Sequence, residues 1–240
     1  MKNNKFNHIP LNPDFDNWWY QGRIKIIDYI LSKQKYRKII NILEVGPGVG
    51  VNIQTLQKYG AVDVLEVDDF FIGLIKDNKN LDVSNIYNKF SEINKQYDLI
   101  VFLDVLEHIQ DYEIFLVDIK DLLTDKGICI MSVPAYETLL SQHDVNLKHF
   151  RRYNWKTINN QIEGKFNILN RYGYNFFLLP IRYIQIKILN SPISDTTVSK
   201  YINNFLKTII NLEILFLKLK LNPKFGLSLF AVLKKSERQN

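Results

Sequence analysis

Asn41-Ile-Leu-Glu-Val-Gly-Pro-Gly-Val-Gly50 is the stretch on which the reading of this chain turns. A short apolar run, Lys38 to Val45, enters three glycines spaced two apart and leaves into Val51–Tyr59, where Ile53, Leu56 and Tyr59 recur at helical spacing. Strand, glycine loop and helix in that order form a nucleotide-binding turn: glycine lets the backbone reverse sharply and lets a ligand approach where a Cβ would collide. The amides at the start of the following helix are unpaired and point outward. The spacing is Gly-x-Gly-x-Gly, whereas a dinucleotide fingerprint requires Gly-x-Gly-x-x-Gly and position 51 is Val. No Gly-Lys-Ser/Thr of a phosphate loop follows. The loop therefore suits a nucleoside that carries an amino-acid tail better than a phosphate chain.

The flanking acids agree. Glu44 lies two residues before the first glycine, within reach of an ammonium group, and Glu66 closes the next strand, where a carboxylate accepts from both hydroxyls of a ribose. Asp68 competes for the ribose; Glu66 is preferred because the helix after it then starts in register with Phe71, Ile72 and Leu74.

Outward from this loop the chain alternates strand-like and helix-like segments, the pattern of a parallel sheet covered by helices. Strands are expected over 61–67, 98–103, 127–133, 166–171 and 227–234. Helices are expected over 22–35, 70–76, 111–123, 175–189 and 200–221, with Ser191-Pro-Ile-Ser-Asp195 breaking the last two apart. The expected architecture is one α/β domain over 1–240. It divides into an N-terminal helical cap (1–37), a core (38–174), a helical insertion (175–224), and a last strand with tail (225–240).

Bulk properties narrow the function. The chain has 240 residues, 46% of them hydrophobic, enough for a sizeable core. Its one cysteine, Cys129, sits in an apolar run, which excludes an internal disulfide framework and any Cys-based zinc site. Met1–Pro10 lacks the apolar core of a signal peptide, and no run reaches the ~18 apolar residues of a membrane span. A cytoplasmic protein is expected. The net charge of +6 is uneven: from Val145 onward sixteen Lys and Arg face four Asp and Glu, while the part before it is net acidic. A basic half fits nucleic acid, an anionic membrane surface or simple solvation.

With these residues in view, Lys38–Pro134 resembles class I S-adenosylmethionine-dependent methyltransferases. The glycine loop is similar to that family's first motif, Tyr97–Ile109 to its fourth strand and following loop, and Leu122–Pro134 to its glycine turn and fifth strand. The resemblance implies a Rossmann-like sheet, mostly parallel, of seven strands with the last antiparallel. It also implies S-adenosyl-L-methionine as cofactor and S-adenosyl-L-homocysteine as product.

A narrower resemblance, to a bacterial subgroup of methyltransferase-domain proteins, extends over nearly the whole chain. It rests on Trp18-Trp-Tyr-Gln-Gly-Arg23, His143-Asp144, His149-Phe-Arg-Arg-Tyr153, Asn175, Ser194-Asp195 and Asn222–Leu229. It carries the reaction class and stops short of the acceptor.

Carried onto this chain, the cofactor contacts expected are Glu44, Gly46, Pro47, Gly48, Gly50, Glu66, Val67, Asp68, Lys89, Phe90 and Asp104, with Trp19 and Arg23 of the cap over the pocket. One departure stands out. The Asp that usually bonds the adenine amino group is replaced by Lys89 in Asn85–Glu92, leaving backbone groups and the Phe90 ring to hold the base.

Methyl transfer needs alignment of nucleophile, carbon and sulfur more than it needs a catalytic side chain, and alignment contributes on the order of 7–11 kcal/mol in the best cases. A general base is required only for a weakly acidic acceptor. His143 past the fifth strand, oriented by Asp144, is the candidate base; the alternative is that both brace a loop. His108, His149, Arg151, Arg152 and Tyr153 are candidate acceptor contacts, the arginines suiting an anionic group. No metal site is expected.

The helical insertion carries apolar stripes beside Arg182, Lys187, Lys200, Lys207, Lys218 and Lys220. This is the pattern of a peripheral membrane helix at the inner face or a lid for a lipid-linked acceptor, and equally of a core or dimer contact. The function expected is methylation of a small-molecule acceptor such as a saccharide or lipid-linked precursor. An RNA methyltransferase is the rival, disfavoured because Asp104-Val-Leu-Glu107 stands where an Asn-Pro-Pro-Tyr motif would follow the fourth strand. A silent binding protein is the third reading.

Overall fold

The computed structural model describes residues 15–34, 39–188 and 199–236. The Ser191–Asp195 break, the Ser194-Asp195 pair and the extreme N-terminus lie outside the described residues.

Seven strands form a single sheet: β1 (Asn41–Val45), β2 (Ala61–Leu65), β3 (Val83–Tyr87), β4 (Tyr97–Leu103), β5 (Leu123–Pro134), β6 (Phe166–Tyr174) and β7 (Ser228–Lys235). Their order is β3-β2-β1-β4-β5-β7-β6. β1 pairs in parallel with β2 and β4, β2 with β3, and β4 with β5, while β7 runs antiparallel between β5 and β6. Six strands thus share one direction, as the resemblance implied.

The helices are α1 (Trp18–Ser32), α2 (Ile53–Leu56), α3 (Asp69–Asp77), α4 (Tyr112–Leu122), α5 (Gln142–Asn146), α6 (Trp155–Ile162), α7 (Leu179–Lys187) and α8 (Lys200–Lys218). The central strands are apolar on both faces, as a sheet covered on both sides must be. Leu43, Ile100, Phe102, Cys129, Met131 and Leu233 pack against Phe115, Leu116 and Ile119 of α4 and Ile158 and Ile162 of α6. Ile42, Val62, Leu99, Val101, Ile130 and Val232 face Ile26, Ile27 and Ile30 of α1, Ile53 and Leu56 of α2, and Ile210, Ile214 and Leu217 of α8.

Several boundaries differ from expectation. The helix expected over 51–59 shrinks to Ile53–Leu56, flanked by turns, because its start is drawn into the glycine loop. α1 begins at Trp18, earlier than Gly22, because the Asn17 side chain accepts from the Trp19 amide and caps it. The insertion's first helix begins at Leu179, since β6 runs on to Tyr174. α6, which the sequence reading passed over, is set by a reciprocal cap between Asn154 and Thr157.

α1 and α8, far apart in sequence, pack on each other. The Trp18 amide donates to Asn203 Oδ1 at 2.7 Å and Tyr29 Oη donates to the Leu217 carbonyl at 2.6 Å. Gly22 allows the approach: a Cβ there would lie 2.2 Å from Tyr174 Oη and 2.8 Å from Ile210 Cδ1. The cap and the insertion therefore form one layer over one face of the sheet.

Candidate active site

β2 and β3 lie to one side of β1, and β4 and β5 to the other. Chain crossovers diverge between β1 and β4, and such a switch point opens a crevice beyond the carboxyl ends of the strands. The glycine loop, Glu66, Asp104 and Ser132–Pro134 all stand at that edge, since Val45 is in register with both Leu65 and Phe102, and Leu103 with Ser132.

Gly46, Gly48 and Gly50 have φ of +67°, +56° and +79°, the left-handed region that L side chains rarely adopt. A Cβ at Gly46 would meet Val105 Cγ2 at 2.7 Å and one at Gly50 would meet Leu81 Cδ1 at 3.0 Å. Around Gly48, its two chain neighbours aside, no atom of the described residues lies within 4 Å of that position, so the middle of the loop opens onto free space. Pro47 between them is buried and Gly46 is exposed.

Glu44 is buried on β1. Its Oε1 accepts from Asn52 Nδ2 at 2.8 Å, and neither its Oε2 nor Asn52 Oδ1 has a partner among the described residues. Burial pushes the Glu44 carboxyl up to about 7, offset in part by the Asn52 hydrogen bond. Two buried acceptors without donors, beside a loop with open space, are what an incoming ammonium group would satisfy. Glu66 accepts from the Gly48 amide at 3.2 Å and the Asp68 amide at 3.0 Å, and burial raises its pKa. Asp68 is engaged in capping α3, accepting from the Phe70 amide at 2.9 Å. Of the two acids weighed for the ribose, Glu66 is the one turned toward the glycine loop. Val67 is 77% exposed beyond it. Lys89 is exposed, with Nζ 3.6 Å from Glu92 Oε1, and Phe90 rests edge-on against Phe115.

Asp104 follows β4 with φ +53°, an uncommon conformation for a non-glycine residue. Its amide donates to the Ser132 carbonyl at 3.0 Å and its Oδ1 accepts from Ser132 Oγ at 2.8 Å, so β5 holds the turn. Its Oδ2 accepts from Arg23 of α1, whose guanidinium also lies over the Trp19 ring at 5.6 Å. Trp19, Arg23 and Asp104 line a small cavity with Tyr174, Ser228 and Phe230. Cap and β4 thus meet through Arg23 and Asp104.

Beyond Asp104 the sequence reading named residues without seeing how they join. Asp144 is fully buried at the start of α5. Its Oδ2 accepts from the Ser141 amide at 2.9 Å; its Oδ1 receives Arg152 Nε at 2.7 Å and faces His149 Nδ1 at 2.9 Å. These donors hold its carboxyl well below the usual range in spite of burial. The imidazole that Asp144 is shown to orient is therefore His149, where the sequence reading had assigned it to His143; His143 is half-buried beside it on α5.

The Phe150 amide donates to the Glu107 carbonyl at 2.8 Å, which brings His149 over the Leu106–His108 turn. There the His108 and His149 rings meet edge to face at 4.6 Å between centroids. Packing and the neighbouring His149 hold the His108 imidazole below its ordinary pKa. Arg152 Nη1 also donates to the Ala135 carbonyl at 3.0 Å. Arg151 stacks on Tyr112 and Phe150 and donates to the Gln110 carbonyl, and Tyr153 is buried, its amide bonded to the Pro134 carbonyl. Tyr153 thus contributes to the core more than to the crevice.

Glu107 was not among the sequence candidates. It is 0% exposed, and burial with Asp104 nearby raises its pKa well above the usual value. A glutamate one residue before a histidine in an otherwise apolar loop is a weak signal in sequence; only the arrival of His149 from over forty residues downstream gives it company.

A family model described as a methyltransferase domain matches residues 18–171. Among curated proteins, the chain is 31% identical over 136 residues to the ubiquinone biosynthesis O-methyltransferase of Rickettsia bellii (strain OSU 85-389), covering 48% of this chain and 56% of that relative. It is 27% identical over 135 residues to the protein of the same name from Rickettsia typhi, covering 48% and 55%. The chain thus spans about half the length of the curated relatives it matches.

Among solved structures, the N-methyltransferase NodS from Bradyrhizobium japonicum WM9, in complex with S-adenosyl-L-homocysteine, aligns with TM-score 0.58 at 13% identity over 95% of each chain. An S-adenosylmethionine-dependent methyltransferase from Clostridium acetobutylicum aligns with TM-score 0.57 at 13% identity, over 89% of this chain and 92% of that one. At such identities these structures speak to the fold.

Proposed function

The chain belongs to the methyltransferase-domain family, and from that premise we propose that it transfers the methyl group of S-adenosyl-L-methionine to a hydroxyl of a small acceptor. The observation that carries the cofactor assignment is the glycine loop itself: open space at Gly48, flanked by the unpartnered Glu44 Oε2 and Asn52 Oδ1 on one side and the Glu66 carboxylate on the other. In this reading Glu44 and Asn52 take the ammonium, Glu66 the ribose hydroxyls, and Phe90 flanks the base. The cofactor, when bound, supplies an electrophilic methyl carbon on a sulfonium.

The remaining work falls to this chain's own groups. Arg23 and Asp104 join the cap to the sheet and narrow the crevice against water. Ser132 holds Asp104 in its strained turn. Asp144, fixed by Ser141 and Arg152, orients His149 toward the acceptor side. Oxygen is favoured as the accepting atom because the curated relatives carry O-methyltransferase names and align with 48% of this chain. Nucleic acid is disfavoured as acceptor, since Arg151 and Arg152 are engaged within the protein.

Exposed apolar side chains on the insertion favour a lipid-linked or membrane-dissolved acceptor. Ile181 and Ile184 of α7 and Tyr201, Phe205 and Leu215 of α8 stand in solvent. No helix among the described residues is long and apolar enough to cross a membrane, so contact would be peripheral.

Titration calorimetry with S-adenosyl-L-homocysteine tests the assignment. Binding on the order of micromolar, weakened at least tenfold in Glu66→Ala, is expected, equivalent to about 1.4 kcal/mol. A folded protein that binds neither cofactor nor product would refute it.

A further inference from the structure

We propose that Glu107, His108 and His149 form a site for a divalent transition-metal ion, with Asp144 holding His149 in ligating orientation. One ligand atom from each of the three side chains lies within 4.8 Å of the others. Around a single zinc ion such donors stand roughly 3–3.5 Å apart, given metal–ligand distances of about 2.0–2.2 Å, so side-chain rotations of about 1 Å close the set.

Three observations converge on a cation. The first is the state of Glu107: it is 0% exposed, and neither carboxylate oxygen takes a hydrogen bond from another described residue. A buried carboxylate without donors is expensive unless a proton or a cation joins it. The second is the local balance of charge. Arg23 is paired with Asp104, and Arg152 with Asp144, so the guanidinium groups beside the cluster are already matched and Glu107 is left over. The third is the arrangement of His149. Its Nδ1 faces Asp144 Oδ1 at 2.9 Å, which places the ring proton there and leaves Nε2 as the donor atom. A carboxylate behind a histidine is the usual outer support of a metal-bound imidazole.

The donor set identifies the class of metal. Two imidazoles and one carboxylate suit zinc, iron(II) or cobalt(II), whereas magnesium and calcium favour all-oxygen sets. Three protein donors also leave a coordination position open, as in catalytic zinc sites. The turn Leu106–His108 begins two residues after Asp104, and His108 is exposed, so that position would be reached from solvent beside Asp104. If the methyl-transfer reading holds, an acceptor hydroxyl bound there would lose its proton to bulk water near neutral pH, as metal-bound water does, and its oxygen would take the methyl carbon as the sulfonium S–C bond breaks and the thioether product leaves. Metal binding itself does not depend on that reading.

The test uses the full chain, treated with a chelator and then titrated with Zn2+ and, separately, Co2+. One equivalent of Zn2+ is expected to bind with on the order of micromolar affinity or tighter. Bound Co2+ should show the intense visible absorption of a four- or five-coordinate ion, and Mg2+ should give no stoichiometric heat. Glu107→Gln and His149→Ala should each abolish stoichiometric binding. Asp144→Asn should weaken it about 10–100-fold while leaving one site. Circular dichroism of each variant separates loss of the site from loss of the fold; His108→Gln, on the solvent side, replaces any variant that does not fold.

Absence of stoichiometric Zn2+ binding would overturn the proposal, as would Zn2+ affinity unchanged in folded Glu107→Gln and His149→Ala proteins. Parallel titration with S-adenosyl-L-homocysteine distinguishes the two readings. Product binding without zinc binding sinks the metal site alone, and zinc binding without product binding sinks the cofactor assignment alone.

Discussion

At Glu44 burial and cofactor recognition pull in opposite directions. Burial lifts its carboxyl to about 7, so near neutral pH the free protein holds a proton there part of the time. A cofactor ammonium at Oε2 would stabilise the ionised form and expel that proton. Binding should therefore release protons near pH 7, and affinity should rise with pH until it passes about 7 and then level off. Calorimetry in buffers of different ionisation enthalpy measures the released protons directly. Glu44→Gln should bind about tenfold more weakly or worse, without proton release, the loss expected of a charge-assisted hydrogen bond. Gly48 offers a second test. Valine there meets no neighbour but must adopt φ near +56°, at a cost of about 1–2 kcal/mol or more for a β-branched residue, and its side chain would fill the space proposed for the ligand. Gly48→Val is expected to fold, with a modest drop in thermal midpoint, and to show no measurable product binding. Glu44 and the glycines could be read from sequence because their chemistry is local. Asn52 and Ser132, which hold Glu44 and Asp104, could not, since nothing in their immediate sequence marks the partner.

Among the elements, α8 is tied to the sheet by one carboxylate. Glu213 is fully buried; its Oε2 accepts from the Asn175 amide at 2.7 Å and its Oε1 from the Phe177 amide at 2.9 Å, capping the turn where β6 gives way to α7. Asn175 sits at φ +57°, so the turn depends on that support. Glu213→Ala leaves the buried Asn175 amide and the part-buried Phe177 amide without acceptors, and unfolding by urea should show a loss of about 1–3 kcal/mol for each amide that water does not reach. Burial raises the Glu213 carboxyl to about 7 from an ordinary value of 4.5. Between those values the unfolded chain is already ionised while the folded chain keeps its proton, so stability falls as pH rises through that window and levels off above it. Glu213→Gln should flatten part of this slope; an unchanged slope would show that Glu213 does not titrate there. The stripe of α8 was legible from its helical spacing, but its neighbour was not: that α1 covers it depends on Gly22 meeting Tyr174 and Ile210.

For the molecule as a whole, the sheet divides labour between its edges. The glycine loop, Glu66 and Glu107 belong to the acidic first part of the chain, and His149, Arg152 and the insertion to the basic remainder. The insertion presents Ile181, Ile184, Tyr201, Phe205 and Leu215 to solvent beside Lys187, Lys200 and Lys218. That pairing of apolar and cationic surface should bring the protein down with anionic vesicles at low salt and release it as salt screens the attraction. Replacing Phe205 and Leu215 by serine should weaken sedimentation without lowering product binding. Failure to sediment at low salt would remove the membrane-surface reading and leave a water-soluble acceptor.

Sequence alone determined the class of fold and the place of the glycine loop, because both rest on short-range patterns. Alternating apolar runs dictate a covered parallel sheet, and three glycines at spacing two favour a loop of left-handed residues that glycine follows at least cost. Helix ends were less legible where a side-chain cap or a turn decided them, as at Asn17 and around Ile53–Leu56. The cluster of Glu107, Asp144 and His149 took shape only in three dimensions. Glu107, Asp144 and His149 lie on separate turns after β4 and β5, and their meeting depends on sheet register and on the bond from the Phe150 amide to Glu107. Contacts of that kind join segments whose separation along the chain carries no information about distance, so the pairing of Asp144 with His149 could be found only once the strands had brought them together.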